Sequence, residues 1–347
     1  MNKGRNTPSR VLKKKSKKKL RKWIVSVLLV LTVFLIAGAT YATSLYLKAE
    51  SAADKAFENS DREKSDLREE IVDPKNDHVS ILLLGIDEND KRKAREVART
   101  DAMVFATLNK TDKSIKLLSI PRDSLVYIPE VGYEDKINHA HAFGGTEATI
   151  ETVEGLLDIP VDYYVKLNFN AFVEVIEALG GITADVPYEF SESNSNDEKN
   201  TIHLLPGEQT LNGEEALALA RTRKKDSDYM RGQRQLEIID AIIDKAASVG
   251  SVFKYGDVID ALGDNMSTNM KFDEMKSFLS YATEGRNLNV EKFSLEGEDY
   301  WPDKIYYWQV DEMALEDTKD KLRTHLELTD LASDSGETEF YNAESYD

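Results

Sequence analysis

Apolar and polar positions divide the chain into an apolar run near the N-terminus and a long region of mixed pattern. The apolar run, "WIVSVLLVLTVFLIAGATYATSLYL", covers 25 residues, 23–47, without a charged side chain. At about 1.5 Å per residue, a helix of this length spans the roughly 30 Å hydrocarbon core of a bilayer with allowance for tilt. "AGA" at 37–39 has the form of a signal cleavage site. The run is longer than the roughly 7 to 15 apolar residues of a signal peptide, so we predict a retained transmembrane helix.

The region after this run has two flanks without a core pattern. Residues 48–77 are charged, with Phe57 as their only aromatic residue, and predict a solvated helical stalk. Residues 331–347 carry acids, no base and no apolar period, which is typical of a disordered tail. The residues between them, 78–330, are expected to form one domain.

Within residues 78–330, apolar runs of strand length alternate with helical patterns. We predict strands in "HVSILLLGID", "DAMVFATLNK", "SIKLLSIPRD" and "VDYYVKLNF". We predict helices in "EATIETVEGLLDI" and "NAFVEVIEALGG", the second ended by a glycine pair. This order indicates an α/β (α+β mixed) fold, a single domain with a mixed central sheet flanked by helices.

Charge is unevenly distributed over these regions. Residues 1–48 hold 12 of the 45 Lys and Arg and no acid, so residues 49–347 combine the other 33 with all 63 acids for a net charge of -30. Eleven of the 12 lie in residues 1–22, directly before the apolar run. The positive-inside rule therefore predicts a single-pass cell-membrane protein with a cytoplasmic basic segment and an extracytoplasmic domain. There is no Cys, so the domain must be stable without disulfides.

The stretch "LARTRKKDSDYMRGQRQ" concentrates arginines in this acidic region. Two helices are predicted around this stretch, and the second covers residues 227–248. At about 100° per residue it places Asp228, Arg231 and Gln235 on one face. Because the helix N-terminus adds its own positive field, this face favours an anion. The alternative is a solvated charged face on which Asp228 pairs with Arg231.

A shorter helix precedes this one. Asn212 as N-cap and Glu215 three residues later form a capping box, which predicts a helix that ends near Arg221 and Arg223. Both arginines would then lie close to the N-terminus of the second helix.

Further polar residues follow the predicted strands. Asp87 ends the first strand, Arg99 and Asp101 open the second, and Arg122 and Asp123 follow the third. An Asp at a strand end can simply cap a turn. Two Asp from adjacent strand ends can also supply half of a Mg²⁺ ligand set, with water and phosphate oxygens completing it, while arginines bind the phosphate.

Eight motifs together resemble the LytR-CpsA-Psr family from about His78 to about Ser248. In order they are "LLLGID", "RTD", "SIPRD", "KINHAHAFGG", "VDYYVKLNFNAFVEVIEALGGI", "DVP", "GEQTLNGEEALALARTR" and "DYMRGQRQ". The resemblance implies an enzyme that transfers a phosphate-linked glycopolymer, such as teichoic acid or capsule, from an undecaprenyl-pyrophosphate lipid to a muramic-acid hydroxyl of peptidoglycan. It implies membrane tethering and possible membership of a cell-wall synthesis complex. The net charge of -30 in the outer region, and not the resemblance, predicts that there is no nucleic-acid partner.

The same resemblance implies roles for individual residues. Asp87 and Asp101 resemble ligands of Mg²⁺, or Mn²⁺ in its place. The residues expected to bind the pyrophosphate are Arg99, Arg122, Arg221, Arg223, Arg231 and Gln235. Arg99, Arg122 and Asp228 are the expected catalytic residues, and Asp228 would orient the arginines. "RQL" departs from the commoner "RQQ", so Leu236 leaves the role of a second glutamine open.

Several functions other than glycopolymer transfer also fit this sequence. A lipid-pyrophosphate hydrolase or a binding module would use the same residues, and a membrane-bound regulator that binds DNA would use the basic N-terminus. The net charge of the outer region argues against DNA binding. Candidates for the base that accepts the hydroxyl proton are Asp123, His139 and His141. Two apolar helix faces could line a lipid pocket or belong to the core: Ile150, Val153, Leu156 and Leu157, and Phe172, Val175, Ile176 and Leu179.

Overall fold

Fourteen strands and eight α-helices are described in the computed structural model, which covers residues 12–59, 62–86, 100–247, 255–278, 281 and 288–328. The helices are α1 Leu12–Ala56, α2 His139–Leu157, α3 Phe169–Leu179, α4 Gly213–Arg221, α5 Asp228–Ala246, α6 Tyr255–Asn265, α7 Phe272–Ser277 and α8 Glu312–His325. The strands are β1 Val79–Ile86, β2 Thr100–Asn109, β3 Ser114–Ser119, β4 Leu125–Ile128, β5 Tyr133–Lys136, β6 Tyr163–Asn168, β7 Ile182–Val186, β8 Phe190–Glu192, β9 Ile202–Leu204, β10 Gly207–Leu211, β11 Met266–Thr268, β12 Asn289–Ser294, β13 Gly297–Tyr300 and β14 Tyr307–Val310.

A six-stranded mixed sheet in the order β11-β6-β1-β2-β3-β12 forms the centre of the domain. β1 is antiparallel to β2, β2 is antiparallel to β3, and β6 and β12 add parallel partners to β1 and β3. The end of β1, the start of β2 and the end of β3 therefore lie at one edge of the sheet, with Ile86 opposite Thr100 and Val104 opposite Ser119. The predicted mixed α/β architecture is confirmed.

Both faces of this sheet are covered, because successive side chains of a strand point to opposite sides. Leu82, Leu84 and Phe105 pack with Val153 of α2 in one apolar cluster. Ile81, Val104 and Leu117 pack with Leu236 of α5 on the other side. The central strands read as continuous apolar runs because helices cover both faces. Leu236, the residue that departs from the family pattern, is a core residue here with 2% of its surface exposed.

A third apolar cluster lies beside the sheet. It joins α3, α4 and α5 through Ile176, Leu219 and Ile238. The predicted glycine pair ends α3, since Gly180 is the C-cap at φ 79° and Gly181 follows at φ 87°. These left-handed backbone conformations suit glycine because it has no Cβ. This cluster holds α4 and α5 together near the sheet edge where β1 and β3 end.

The first helix fits a membrane anchor by length and composition. Among the described residues, Val27–Ala56 of α1 is long and apolar enough to cross a membrane, and an 18-residue window within it has a mean hydropathy of 2.0. Beyond the apolar run the helix packs on α6, where Lys48 Nζ lies 2.7 Å from Asp260 Oδ2. A Cβ on Gly263 would come within 2.7 Å of the Cβ of Ala52, so the two helices are in close contact.

Residues 48–77 differ from the expected solvated helical stalk. The helix ends at Ala56, and Phe57 forms a bridge with Thr268. The following residues lie against the domain, with Ser65 only 1% exposed and the guanidinium of Arg68 bound to Asp162. The segment contacts the domain because its charged side chains find partners distant in sequence. The predicted acidic tail, residues 331–347, and the first 11 residues lie outside the described residues.

Candidate functional site

Two helix termini bring the basic stretch to the edge of the central sheet. The predicted capping box is confirmed, with Asn212 as N-cap and Glu215 at N3, and α4 ends at Arg221. Ser227 caps α5 by accepting a hydrogen bond from the backbone N–H of Met230. The helix lies close to β3, because a Cβ on Gly232 would clash with Ser119. The first two turns of α5 therefore face the end of β3, where Arg122 follows.

Three arginines and three aspartates meet at this edge: Arg122, Arg223, Arg231, Asp101, Asp123 and Asp228, here called the arginine cluster. Arg122 is paired with Asp101, and its Nε lies 3.7 Å from Asp123 Oδ2 and 3.8 Å from Asp228 Oδ1. Arg223 Nη1 lies 3.8 Å from Asp123 and 3.6 Å from Asp228. Arg231 Nη2 lies 2.6 Å from Asp228 Oδ1. Asp228 thus contacts all three arginines.

Burial excludes the alternative of a solvated charged face. Asp228 and Arg231 are each 5% exposed, whereas the Arg223 side chain is 44% exposed. Burial raises the pKa of Asp228 above its ordinary value, an effect that the charge of Arg231 opposes. Burial lowers the pKa of Arg231 to about 10, so the guanidinium remains charged at neutral pH. Burial would also lower the pKa of Arg122, but the three aspartates of the cluster raise it.

Several buried polar atoms of the arginine cluster lack a hydrogen bond within the described part of the chain. They are Arg122 Nε, Arg231 Nε and both carboxylate oxygens of Asp228. Their ion pairs supply charge without the alignment of a hydrogen bond. Because a buried polar group without a partner costs free energy, such atoms mark a place where a polar ligand is stabilising.

A cavity of about 1180 Å³ opens beside the arginine cluster and follows α5. Asp228, Arg231 and Gln235 line it first, and Ile238 and Ile242 line it further along the helix. From Asp228 to Ile242 the helix rises about 21 Å at 1.5 Å per residue. Further apolar residues that line the cavity are Leu83, Leu84, Val104, Leu167, Phe169, Phe172, Leu217 and Ile239. The cavity therefore has a charged end and an apolar end.

Arg221 and Gln235 line this cavity without joining the arginine cluster. The guanidinium of Arg221 lies 4.8 Å from the ring centroid of Phe169 and 3.7 Å from Asp197. Gln235 donates a hydrogen bond of 3.1 Å to the backbone carbonyl of Ala220. Both lie along the cavity at the junction of α4 and α5.

Arg234, the fourth arginine of the stretch, has a structural role. Its guanidinium is 5% exposed and donates hydrogen bonds to Asp226 and to the backbone carbonyls of Thr222 and Leu219. These bonds fix the loop between α4 and α5, which carries Arg223. Arg234 therefore positions the arginine cluster from behind and does not line the cavity.

The three candidate bases lie in different surroundings. Asp123 is 5% exposed and is 2.8 Å from Lys136 Nζ as well as close to Arg122 and Arg223. His139 Nδ1 lies 2.7 Å from Asp135, and none of the three candidates is among the described residues that line the cavity. Of the three, Asp123 is the residue in contact with the arginine cluster.

The described residues at this end of the sheet supply only part of a ligand set for a hard cation such as Mg²⁺. Asp87 and Arg99 lie outside the described residues, so their predicted roles stay predictions. Within the described residues no group of three or more His, Cys, Asp or Glu is placed to hold a metal ion. Mg²⁺ commonly binds one or two carboxylates and takes its other oxygens from water and phosphate. Asp101 lines the cavity beside Arg122 and fits that role as a single ligand.

Sequence reasoning left out much of the cavity lining. Phe172 was recognised only as part of a face that could line a lipid pocket but is more often core, and it lines the cavity, whereas Ile176 and Leu179 of the same helix are core residues. Asp299, Trp301 and Tyr306 also line the cavity and were not predicted. Their pattern carries no local signal, because their place depends on contacts with residues far away in sequence.

Fold and site together define a mixed α/β protein with an arginine-lined cavity that continues into an apolar one. The sequence profile of the LytR_cpsA_psr family matches residues 43–324, and the chain belongs to this family. TagT of Bacillus subtilis (strain 168), named a polyisoprenyl-teichoic acid–peptidoglycan teichoic acid transferase, is 40% identical over 317 residues, which cover 90% of this chain and 98% of TagT. TagU of the same organism, with the same type of name, is 36% identical over 318 residues, 91% of this chain and all of TagU.

Solved structures agree with this assignment. TagT bound to LIIa-WTA superimposes with a TM-score of 0.65 at 41% identity, covering 77% of this chain and 97% of that one. TagT with bound octaprenyl pyrophosphate lipid gives a TM-score of 0.61 at 38% identity, covering 77% and 98%. The relatives that carry these names are transferases, and the fold of this chain is theirs.

Proposed function

We propose that this protein transfers a phosphate-linked glycopolymer of the teichoic-acid type from a polyprenyl-pyrophosphate lipid to a hydroxyl of peptidoglycan. The observation that carries the proposal is the cavity along α5, which begins at the arginine cluster and continues between apolar side chains. A polyprenyl pyrophosphate has the same division into a charged group and an apolar chain. The name of TagT and its structure with octaprenyl pyrophosphate support the same class of donor.

The arginine cluster would bind the pyrophosphate. Arg223, with nearly half of its side chain exposed, and Arg122 can turn hydrogen-bond donors toward phosphate oxygens in a bidentate manner. Asp228 holds Arg231 at 2.6 Å and so fixes its guanidinium before the ligand arrives. Preorganised guanidinium groups stabilise phosphoryl transfer by charge and position.

In the proposed reaction, the acceptor hydroxyl oxygen forms a bond to the phosphorus that carries the glycan. The bond from that phosphorus to the bridging oxygen breaks, and polyprenyl monophosphate leaves. Arg122 and Arg223 would offset the charge that grows on the leaving phosphate. Asp123, which contacts both, is our candidate to accept the hydroxyl proton.

Mg²⁺ is the proposed cofactor, with Asp101 and the predicted Asp87 as its carboxylate ligands. When bound, it would neutralise part of the phosphate charge. The arginines alone bring three positive charges against three aspartates in the described cluster. An additional cation would therefore help to balance the charge of a bound pyrophosphate.

The membrane arrangement is part of the proposal. The helix Val27–Ala56 would anchor the protein, with the basic N-terminal segment in the cytoplasm and the domain outside. Lipid-linked donors are held in the membrane, so an anchored domain whose cavity accepts the prenyl chain needs to capture its donor only in two dimensions.

A transfer assay with the full-length chain in detergent tests this function. The reaction contains a short lipid-pyrophosphate glycan, Mg²⁺ and soluble peptidoglycan oligomers, and mass spectrometry follows the products. We expect glycan phosphate on the oligomers with the native protein and its loss with Arg122→Ala. Arg323→Ala, which removes a surface partner of Asp158, is the matched control and should transfer normally. Free glycan phosphate formed equally with and without acceptor would show a hydrolase instead, and no turnover in any condition would contradict the proposal.

A further inference from the structure

An exposed aromatic hairpin stands at the charged end of the cavity. β13 and β14 pair antiparallel and are joined through residues 301–306. Trp301 is 61% exposed, and Tyr300 and Ile305 are 42% and 51% exposed. Large apolar side chains in water are costly when they cluster, and such a patch commonly marks a binding surface. The tip also holds Asp303 and Lys304 in the left-handed region, at φ 51° and 69°.

The base of this hairpin is fixed to the arginine cluster. The backbone N–H of Trp308 donates to the carbonyl of Asp123 at 2.8 Å. The Trp308 indole is buried, donates to the carbonyl of Leu295 at 3.2 Å, and stacks on Tyr229 with ring centroids 5.7 Å apart. Tyr229 is the neighbour of Asp228 in α5. The hairpin therefore has a defined position relative to the proposed pyrophosphate site.

Three side chains of the hairpin face the cavity: Asp299, Trp301 and Tyr306. The rings of Trp301 and Tyr306 have centroids 4.9 Å apart. The Tyr306 hydroxyl donates a hydrogen bond of 3.0 Å to Asp299 Oδ1. Burial and the nearby charge of Asp299 raise the pKa of Tyr306, so its hydroxyl stays protonated. Two aromatic rings and one carboxylate thus form a single wall.

The chemistry of this wall differs from that of the arginine cluster. A carboxylate repels phosphate, and aromatic faces have no strong donor for it. Together they suit a neutral ring with hydroxyl groups: the aromatic faces cover its C–H surface, and the carboxylate accepts hydrogen bonds from its hydroxyls. A pyranose ring has this character.

The direction of the cavity indicates which pyranose lies here. The apolar end extends away from Asp228 along α5, toward Ile242, and would hold the prenyl chain. The hairpin lies at the other, charged end of the cavity, because its Trp308 stacks on Tyr229, the neighbour of Asp228. A pyrophosphate bound between them directs the sugar attached to it toward the hairpin. We propose that Trp301, Tyr306 and Asp299 form a subsite for the first sugar of the lipid-linked donor, an inference that rests on the proposed function.

Charge argues against a membrane surface as the occupant. Tryptophan and tyrosine also occur where proteins contact lipid headgroups. Yet the hairpin carries Glu298, Asp299 and Asp303 against Lys304. An anionic lipid surface would repel this hairpin. The donor sugar, which is continuous with the pyrophosphate site, is the occupant that fits both the charge and the rings.

Binding to two matched lipids tests the subsite in the full-length chain in detergent. One probe is octaprenyl pyrophosphate, and the other is the same lipid with one N-acetylglucosamine on its terminal phosphate. We expect Trp301→Ala to raise the Kd of the sugar-bearing lipid about tenfold, the size of one good aromatic contact. The Kd of the bare lipid should change less than about twofold. Trp301→Phe should restore most of the affinity.

Controls separate this inference from the proposed function. Tyr127→Ala removes a 57% exposed aromatic residue of β4 that is not among the residues lining the cavity, and it should leave both Kd values unchanged. Arg223→Ala should weaken both lipids alike, and if it weakens neither, the proposed pyrophosphate site is wrong. If Arg223→Ala behaves as expected but Trp301→Ala weakens both lipids equally, or neither, the sugar subsite alone is overturned. An increase only in the KM for the peptidoglycan acceptor would also overturn it.

Discussion

The arginine cluster differs from a second ionic network in how its charged groups are paired. The second network lies at the opposite end of the central strands, where β1 and β6 begin. The second network, here called the docking network, comprises Arg62, Arg68, Glu154 and Asp162 and attaches the segment after α1 to the domain. Arg68 donates to both carboxylate oxygens of Asp162 at 2.8 and 2.6 Å, and the backbone N–H of Ser80 adds a third bond at 2.8 Å. Glu154 accepts two hydrogen bonds from Arg62 and one from Ser65.

The docking network is therefore complete within the protein, whereas the arginine cluster is not. Both oxygens of Asp228 and the Nε atoms of Arg122 and Arg231 have no hydrogen bond among the described residues. A complete buried network stabilises a unique packing, and an incomplete one costs stability until a ligand completes it. The docking network thus uses charge for structure, whereas the arginine cluster uses charge for binding.

Arg223→Ala should produce the largest effect, on activity alone. It removes a half-exposed guanidinium that contacts Asp123 and Asp228 at 3.8 and 3.6 Å. We expect the transfer rate to fall by about a thousandfold, as for the loss of one preorganised donor to a transition-state charge. The melting temperature should barely change, because Asp228 keeps Arg231 and Asp123 keeps Lys136. Steady-state transfer and thermal melts measure the two quantities, and a large loss of stability would contradict the distinction.

Arg68→Ala should have the reverse effect. Asp162, whose side chain is 3% exposed, would lose its bidentate partner and remain buried as an unpaired carboxylate. We expect a loss of about 3 kcal/mol of folding free energy. The transfer rate of the folded fraction should stay within about twofold, because the arginine cluster is untouched. Arg323→Ala, which breaks a more exposed pair, is the control and should cost less than about 1 kcal/mol. A change in activity without a change in stability would reverse the assignment of the two networks.

His325 is a third buried polar group. Like the docking network, its hydrogen bonds are complete within the protein. Its ring nitrogens lie 2.7 Å from the Thr107 hydroxyl and 2.9 Å from the Ser114 hydroxyl. Burial lowers the pKa of His325 to about 4. The unfolded imidazole, with its ordinary pKa of about 6.5, takes up a proton first as the pH falls. Stability should therefore decrease by about 2 kcal/mol between about pH 6.5 and about pH 5.

The matched variant is His325→Gln, which keeps a polar side chain and removes the titration. Melts of both proteins over this pH range give the difference between them, in which the contributions of the carboxylates cancel. We expect the difference to shrink as the pH falls, because only the native protein loses the histidine contribution. Parallel curves would mean that folding does not lower the pKa of His325.

Gly232→Ala should have the smallest effect and act on both sides of the comparison. The added Cβ would collide with Ser119 and push the first turns of α5 away from β3. We expect a loss of about 1 kcal/mol of stability together with a several-fold loss of transfer, because Asp228 and Arg231 move with the helix. Adding Ser119→Ala removes the colliding hydroxyl and should restore most of both. Failure of this second change to restore activity would mean that the close approach of α5 to β3 does not position the cluster.

Local patterns in the sequence predicted the parts of the fold that depend on local physics. β1, β2 and β3 follow apolar runs that only a doubly covered sheet can bury, and the capping box at Asn212 marks the start of α4. Helical spacing also placed Asp228 and Arg231 on one face. It could not tell whether that face was solvated, because burial depends on the sheet edge packed against it.

Residues that depend on distant partners escaped prediction. Arg234 and Arg231 look alike in the sequence, yet Arg234 binds the loop at Asp226, and Arg231 faces the cavity. The segment after α1 reads as a solvated stalk because Arg68 meets Asp162 only after 94 residues of chain. The hairpin with Trp301 carries no local signal of a site, since its position is fixed through Trp308 and Asp123.

The most direct test of the difference between the two networks is the affinity of the full-length protein for octaprenyl pyrophosphate. Isothermal titration in detergent compares the native chain with Arg223→Ala and Arg68→Ala at a temperature where all three are folded. We expect Kd to rise by about tenfold or more for Arg223→Ala, the loss of a charged hydrogen bond to phosphate, and to stay unchanged for Arg68→Ala. Equal affinities for all three proteins would show that the arginine cluster does not bind the pyrophosphate.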